Sequence, residues 1–401
     1  MRNTKHPTSN PAVALATPNK TSLRRFAKIR TLGTTTNPPN MPTQPLTNLF
    51  RPEILAMSAY HVADASNFIK LDAMENPYGW PEDIQKNWLE HLKDCPMNRY
   101  PDPEAKALAT ALRHSNGIPE TSGLLLGNGS DEIIQILMMA LPNDAAVLAP
   151  EPGFVMYKQV ALSLGLRYQG VPLLADSFEL DMPAMLAAID LLQPSLIFLA
   201  YPNNPTGNLF NPEDIQQILF VATGFVVVDE AYAPFADASF IDQLPHQKNL
   251  LVMRTVSKLG LAGLRLGFLA GDPTILEQLN KVRLPYNINC LTQITASFAL
   301  NHQGFLLAQT KTICQQRSEV LAALHGIEGI KAYPSAANFI LFKTIDKPAE
   351  TIFMSLKNQG VLIKNLSPQG GLLQDALRVT IGTPEENQAF LKALLHALKN
   401  A

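Results

Sequence analysis

The sequence has few cysteines, little net charge and no long hydrophobic run. Its 401 residues include three cysteines, Cys95, Cys290 and Cys314, which are far apart, odd in number and without a CxxC spacing. This pattern argues against a disulfide framework or a zinc site and predicts a protein of the reducing cytoplasm. No apolar run approaches the roughly 18 residues needed to cross a bilayer, so no membrane partner is expected. The net charge of −2 gives no broad basic surface for nucleic acid, and small molecules are the expected partners.

The first 52 residues differ from the rest. They contain eight Lys or Arg and no acid, so the remaining 349 residues carry 24 basic and 34 acidic groups. The segment is rich in Thr, Pro and Asn and has no hydrophobic period, which predicts a disordered leader over residues 1–52. Three readings stay open for it: a dispensable tail or a start assigned upstream of Met41, an organelle transit peptide, or a functional arm.

From residue 98 onward, short apolar runs alternate with amphipathic stretches, which is typical of an α/β protein. Asp102 is predicted to cap a helix that ends near Gly117. Near-continuous apolar runs predict strands buried on both faces, at residues 124–126, 145–149, 195–200, 225–229, 250–255 and 266–270. Later come long helices over residues 290–325, three candidate strands in 338–343, 360–366 and 376–382, and a closing helix. We expect a small-domain segment at 53–97, a large domain at 98–285 and a small α+β domain at 286–401.

The segment TVSKLGLAGLRLGF, residues 255–268, holds a lysine after a predicted strand. Lys258 lies among small and apolar residues, and Arg265 follows seven positions later. Apolar surroundings and a nearby cation lower the pKa of an amine. Such an amine can form a Schiff base with an aldehyde.

Polar side chains also follow two other predicted strands. FVVVDEAY ends a strand with Asp229 and places Tyr232 three residues on, and YPNNPTG follows another strand with Asn204. In open α/β sheets, ligands bind beyond the carboxyl ends of the strands. A permanently ionised Asp229 could keep a pyridine nitrogen protonated, while Asn204 and Tyr232 could donate hydrogen bonds to a ring oxygen.

The GNGSDE turn at residues 127–132 is a glycine loop between a predicted strand and a helix start. Backbone amides of Ser130 and Asp131 at that helix N-terminus suit a phosphate dianion. Ser257 and Arg265 could add donors, and an arginine adds charge. The turn is not GxGxxG, so a dinucleotide site is unsupported.

Taken in chain order, GNGSDE, PNNPTG, DEAY, SKLGLAGLRLG and LRVTIGT resemble the pyridoxal-phosphate-dependent aminotransferases of fold type I, most closely the branch that acts on histidinol phosphate. The likeness spans about residues 53–400. It implies a large domain with a mostly parallel seven-stranded sheet, a smaller α+β domain and pyridoxal 5'-phosphate as cofactor. The implied reaction moves an amino group between glutamate or 2-oxoglutarate and histidinol phosphate or imidazole-acetol phosphate.

Two alternatives on the same scaffold stay open, an aromatic amino acid aminotransferase and a threonine-phosphate decarboxylase. A transcription regulator carrying a similar domain is disfavoured, because 52 helix-poor residues leave no room for a helix-turn-helix module. No metal is expected.

The resemblance also implies roles for individual residues. Lys258 would form the Schiff base and then carry the proton at the substrate α-carbon. Asp229 would pair with the pyridine nitrogen, and Asn204 and Tyr232 would contact the ring oxygen. Phe154 would stack on the ring; the less favoured alternative is an ordinary core aromatic. The phosphate would be held by Ser130, Asp131, Ser257 and Arg265.

Other implied roles concern the substrate and a second subunit. Arg378 would bind the anionic end of the substrate, and its planar fork suits a carboxylate or a phosphate. The closing N-terminal segment would include Glu75, Asn76 and Tyr78, although Tyr78 could also serve in packing. Tyr100 would reach the phosphate of a neighbouring subunit, which implies a homodimer with shared active sites.

The sequence departs from the family pattern in one loop. Arg265 follows Lys258 by seven positions, where many family members have an offset of eight.

Overall fold

The computed structural model describes residues 46–59 and 64–400. Of the predicted leader, the last seven residues are described, with a 3-10 turn at Leu46–Leu49, and the prediction of disorder otherwise lies outside the described residues. The chain divides into two units, residues 1–51 and 52–401, and all further elements belong to the second. Among the described helices, none is both long enough and apolar enough to span a membrane.

The second unit opens with short elements: helix α1 (Pro52–Ala56), strand β1 (Ile69–Lys70), helix α2 (Glu82–Leu92) and helix α3 (Lys106–Asn116). Helix α3 begins later than predicted. The Asp102 carboxylate accepts the backbone N–H groups of Glu104 and Lys106, but Ala105 has a left-handed φ of 47°. A left-handed residue interrupts a right-handed helix, so the regular helix starts after it.

A seven-stranded sheet forms the centre of the unit. Its strands in chain order are β2 (Gly123–Gly127), β3 (Ala146–Glu151), β4 (Arg167–Pro172), β5 (Leu196–Ala200), β6 (Phe225–Asp229), β7 (Leu250–Thr255) and β8 (Gly267–Gly271). In space the order is β2-β8-β7-β6-β5-β3-β4. The two pairs that involve β8 are antiparallel and the other four are parallel, which confirms the predicted mostly parallel sheet.

Both faces of this sheet are buried. Along β5, Ile197 and Leu199 belong to one hydrophobic cluster, whereas Leu196 and Phe198 belong to another. Successive side chains of a strand point to opposite faces, so each cluster covers one face. The central strands therefore appear in the sequence as continuous apolar runs.

Helices cover the two faces. They are α4 (Gly129–Met139), α5 (Val155–Leu164), α6 (Met182–Leu192), α7 (Pro212–Val221) and α8 (Pro273–Asn280). The apolar sides of α4, α5 and α8 join the Phe198 cluster, and those of α3, α6 and α7 join the other. Asp181, Asn211 and Asp272 cap α6, α7 and α8 with a side-chain oxygen, each with a proline in the first turn. Both features favour a helix start.

The last third of the chain builds a second layer. Its elements are α9 (Cys290–Asn301), α10 (Gly304–His325), β9 (Ile330–Ala332), β10 (Phe339–Thr344), α11 (Ala349–Asn358), β11 (Val361–Leu362), β12 (Lys364–Asn365), β13 (Ala376–Thr380) and α12 (Pro384–Asn400). An antiparallel sheet has the order β12-β13-β10-β9, and β1 pairs with β11 in parallel. This sheet shares a separate core with helices α10, α11 and α12, which fits the predicted smaller α+β part. The predicted domain boundaries stay a prediction.

Candidate active site

One cavity lies where the carboxyl ends of β5, β6 and β7 face the start of α4. It brings together nine of the predicted site residues: Ser130, Asp131, Phe154, Asn204, Asp229, Tyr232, Ser257, Lys258 and Arg265. These residues come from six separate segments. The sheet accounts for the convergence, because the loops that leave neighbouring parallel strands meet at the same edge.

Lys258 lies in a 3-10 turn, Ser257–Leu259, directly after β7. Its amine is 3.4 Å from the carbonyl oxygen of Ala73 and 5.8 Å from the centroid of the Tyr232 ring. Burial, and after it the positive charge of Arg378, lower the pKa of Lys258 to about 8. At pH 7 about a tenth of such an amine is therefore unprotonated and able to act as a nucleophile or base, far more than of an ordinary lysine.

Asp229, the last residue of β6, is buried. Its Oδ2 accepts a 2.6 Å hydrogen bond from the Tyr157 hydroxyl, and its Oδ1 accepts the backbone N–H of Ala231 at 3.1 Å. Burial raises the pKa of Asp229 to about 6 in spite of these two bonds, and the acidic neighbours Asp131 and Glu230 raise it as well. The carboxyl is thus mostly ionised at neutral pH, whereas the sequence analysis assumed a permanently ionised group. Such a buried anion favours a cationic partner.

Asn204 connects two parts of the site. Its Nδ2 donates to the Tyr232 hydroxyl at 3.1 Å, and its Oδ1 accepts from Arg378 Nη1 at 2.6 Å. Arg378, in β13, is 7% exposed and also donates to the Asp72 carbonyl at 3.1 Å. A single row of hydrogen bonds therefore runs from the small sheet to the cavity.

The start of α4 lies against Arg265 and strand β8. Gly129 has φ +79°, and a Cβ there would lie 2.7 Å from Arg265 Nη2. A Cβ on Gly267 would lie 2.8 Å from the backbone nitrogen of Ser130. Both glycines thus let Arg265 and strand β8 approach the first turn of α4 closely. Ser130 and Asp131 of that turn line the cavity, and a helix N-terminus is where phosphate binds. Ser257 faces the same cavity, with its hydroxyl 2.8 Å from that of Thr255.

The shortened loop still places Arg265 beside the start of α4, where it lines the cavity. Gly260, at φ +111°, and Arg265, at φ 48°, are both left-handed, and 3-10 turns lie on either side of the glycine. Arg265 Nη2 forms a 3.0 Å ion pair with Asp131 Oδ2. The tight turns therefore accommodate the missing residue without removing the arginine from the cavity.

A second cavity adjoins the first and shares Met74, Phe154 and Asn204 with it. Arg378 and Lys364 both line this second cavity. They belong to neighbouring strands in which residue 364 is directly opposite residue 378. The pairing places two cationic side chains beside the space that leads from Lys258.

Four predicted residues, Glu75, Asn76, Tyr78 and Tyr100, line neither cavity within the chain. Glu75 forms an ion pair with Lys70. Asn76 donates to the Gln309 side chain at 3.0 Å. Tyr78 packs against the core of the smaller sheet, in agreement with its packing alternative. Tyr100 is 80% exposed and stacks on Tyr286 with ring centroids 4.5 Å apart. Its predicted role in a neighbouring subunit stays a prediction.

Sequence reasoning missed Tyr157, Thr255, Met74 and Lys364 as site residues. Tyr157 follows Phe154 by three positions, the spacing that places two side chains on the same side of a helix turn. Thr255 precedes Ser257 by two residues at the end of β7. These spacings were visible in the sequence, but the partners of the side chains were not.

The chain matches the family model of class I and II aminotransferases over residues 66–394. It is 55% identical over 351 residues to histidinol-phosphate aminotransferase 2 of Nitrosococcus oceani, covering 87% of this chain and 97% of that protein. It is 49% identical over 347 residues to histidinol-phosphate aminotransferase of Chromobacterium violaceum, covering 86% and 97%.

Solved structures share the fold. The histidinol-phosphate aminotransferase of Sinorhizobium meliloti in complex with pyridoxal-5'-phosphate aligns with a TM-score of 0.77 at 24% identity, covering 87% of this chain and 97% of that one. The family model and the sequence relatives together show that this chain belongs to the class I and II aminotransferases.

Proposed function

We propose that the protein is a pyridoxal-phosphate-dependent histidinol-phosphate aminotransferase, which moves an amino group between glutamate and imidazole-acetol phosphate. The observation that carries the proposal is the pair of adjoining cavities, one lined by Lys258 and Asp229 and the other by Arg378 and Lys364. The high identity to relatives with this activity supports the same conclusion.

The residues of the first cavity fit the cofactor. The buried Asp229 carboxylate suits a protonated pyridine nitrogen, and the start of α4, which lines the same cavity, suits a phosphate. Ser130, Asp131, Ser257 and Arg265 would hold that phosphate, and Phe154 would lie against the ring. When bound, pyridoxal phosphate supplies an aldehyde for the amino group and a ring that delocalises the negative charge developing at the substrate α-carbon.

The protein's own groups would carry the proton and orient the reactants. Lys258 Nζ, with a pKa of about 8, would remove the proton from the substrate α-carbon, since a base whose pKa lies near the working pH transfers protons efficiently. Tyr157 would keep Asp229 oriented and anionic through its 2.6 Å hydrogen bond. The Tyr232 hydroxyl and the Asn204 amide would hold the ring oxygen.

The second cavity supports a doubly charged substrate end. Arg378 and Lys364 both line it. Two cations match the two negative charges of a phosphate dianion better than they match the single charge of a carboxylate. The pair thereby favours a phosphorylated substrate over a purely aromatic one. Threonine phosphate meets the same charge requirement, so the decarboxylase alternative is left to experiment.

The proposal also covers the assembly and the location of the protein. We propose a homodimer in which Tyr100 reaches the phosphate of the second subunit. Its exposure, together with the exposed Met97 and Leu284 side chains, supports a partner surface. We propose the cytoplasm as location, in keeping with three cysteines that are free thiols.

The test compares three reactions of the purified protein. Production of 2-oxoglutarate from glutamate with imidazole-acetol phosphate should far exceed that with phenylpyruvate, and threonine phosphate should release no carbon dioxide. Lys258→Ala should abolish both amino transfer and the borohydride-reducible linkage, while Lys86→Ala, at an exposed lysine of α2, should change neither. Preference for phenylpyruvate, release of carbon dioxide, or retained turnover of Lys258→Ala would contradict the proposal.

A further inference from the structure

Three sulfur atoms from two distant segments meet outside the active site. Cys95 and Met97 lie in the loop after α2, and Cys290 is the first residue of α9. The Cys95 and Cys290 Sγ atoms are each 3.7 Å from the Met97 Sδ atom. The two cysteines are half-buried free thiols. Their separation of 195 positions gave no sign of this contact, so the sequence argument against cysteine pairing was incomplete.

The two thiols also interact with each other. Burial, and after it the neighbouring Cys290 thiol, raise the pKa of Cys95. Disulfide formation requires the two β-carbons to approach within about 4.5 Å. Their common contact with the Met97 Sδ atom places Cys95 and Cys290 in the same neighbourhood, whereas Cys314 lies elsewhere, with its sulfur against the Phe235 carbonyl.

We propose that Cys95 and Cys290 are an oxidisable pair that closes into an intrachain disulfide when the protein meets hydrogen peroxide. One thiolate attacks the peroxide, the O–O bond breaks, and a sulfenic acid forms as the first water leaves. The second thiol then attacks the sulfenic sulfur, the S–S bond forms, and the S–O bond breaks to release a second water. The sulfurs lose two electrons, and hydrogen peroxide gains them.

The bond would tie together two segments that already meet at a second contact. Tyr100 follows Cys95 by five residues, Tyr286 precedes Cys290 by four, and their rings are stacked. A cross-link that spans so much sequence stabilises mainly by restricting the unfolded chain. Oxidation should therefore hold the loop that carries Tyr100 against the start of α9 and raise the melting temperature.

The test uses the purified holoenzyme, reduced and then treated with hydrogen peroxide. The expected product has one titratable thiol instead of three, an intact mass lower by two hydrogen atoms, and a Cys95–Cys290 linked peptide in a non-reducing digest. Cys314→Ser should keep the linkage, and Cys95→Ser and Cys290→Ser should each lose it. Met97→Leu, which preserves the shape but not the sulfur, should also keep it. Cross-linked dimers, sulfinic acid at either cysteine without a linkage, or three unchanged thiols would overturn the proposal.

Thermal unfolding gives a second readout. The oxidised wild type and Cys314→Ser should melt at a higher temperature than their reduced forms, and dithiothreitol should reverse the gain. Cys95→Ser should show no gain after the same treatment. A verified linkage that lowers the melting temperature would contradict the inference that the folded protein already brings the two thiols together. None of these readouts depends on the amino-transfer reaction.

Discussion

Tyr157→Phe tests the hydrogen bond beneath the proposed cofactor site. The substitution removes the hydroxyl that donates to Asp229 Oδ2 at 2.6 Å. It keeps the aromatic ring, which stacks on Phe198 with a centroid distance of 4.3 Å and an interplanar angle of 11°. Because the ring packing is retained, the expected effect falls on Asp229 rather than on the fold.

The size of the effect follows from the bond. A hydrogen bond to a charged group contributes about 1.5–3 kcal/mol, and about 1.4 kcal/mol corresponds to one pKa unit. In the wild type burial raises the pKa of Asp229 to about 6, while the Tyr157 hydrogen bond holds it down. Loss of the bond should raise this pKa by about one to two units. At pH 7 the ionised fraction of Asp229 should then fall from about nine tenths to between about a half and a tenth.

The assay is the carboxyl infrared band of the cofactor-free protein across pH, with Asp229→Asn subtracted to isolate this group. Tyr168→Phe is the matched control, because it removes the hydroxyl of another largely buried tyrosine, whose partner is Glu151. The control should leave the Asp229 midpoint in place. If the Tyr157→Phe midpoint matches the wild type or moves to lower pH, the hydrogen bond does not maintain the charge of Asp229, and the role assigned to Tyr157 is wrong.

Three further outcomes are expected. Lys364→Met should raise KM for imidazole-acetol phosphate by about tenfold or more, since a charge-assisted contact is lost, and should affect KM for glutamate less; equal effects in steady-state kinetics would contradict a phosphate-directed role. Arg378→Lys should raise KM for both anionic substrates, because a point charge does not replace the planar fork; unchanged constants would place substrate recognition elsewhere. The cofactor-free protein should lose about 3 kcal/mol of stability as the pH rises from about 4 to about 6. The reason is that Asp229 titrates near 6 when folded but near 3.8 when unfolded, so the unfolded state binds fewer protons in that window. Urea unfolding of Asp229→Asn should lack this pH dependence, and an equal pH dependence in the variant would refute the prediction.

The central strands were predictable because burial on both faces leaves them no polar alternation. Residues 225–229 and 250–255 were placed at their observed bounds. Strand β4 was missed, since it is an edge strand and three of its six residues, Arg167, Gln169 and Pro172, are exposed. An edge strand with one solvated face lacks the continuous apolar run that identified the others.

The contents of the cavity followed from the resemblance, but the contacts among its residues did not. Tyr157 is 72 positions from Asp229, and Cys95 is further still from Cys290. Such pairings depend on how α5 and α9 pack, and packing is set by the whole core rather than by local sequence. The functional residues at the ends of strands can therefore be predicted from a sequence, whereas the hydrogen-bond partners that shift their pKa values cannot.

Asn204 shows why this difference matters for function. The sequence presents Asn204, Tyr232 and Arg378 as three separate contacts to cofactor or substrate, but in the structure they form one row of hydrogen bonds. An anionic substrate that engages the Arg378 guanidinium competes with the Asn204 Oδ1 atom for the same donors. Any shift of Asn204 then reaches the Tyr232 hydroxyl, which the proposal places at the ring oxygen. The free-energy effects of substitutions along this row should therefore not be additive, because residues in one hydrogen-bond network are energetically coupled. Under the proposed function, substrate binding in the second cavity would be linked by direct contact to the chemistry in the first.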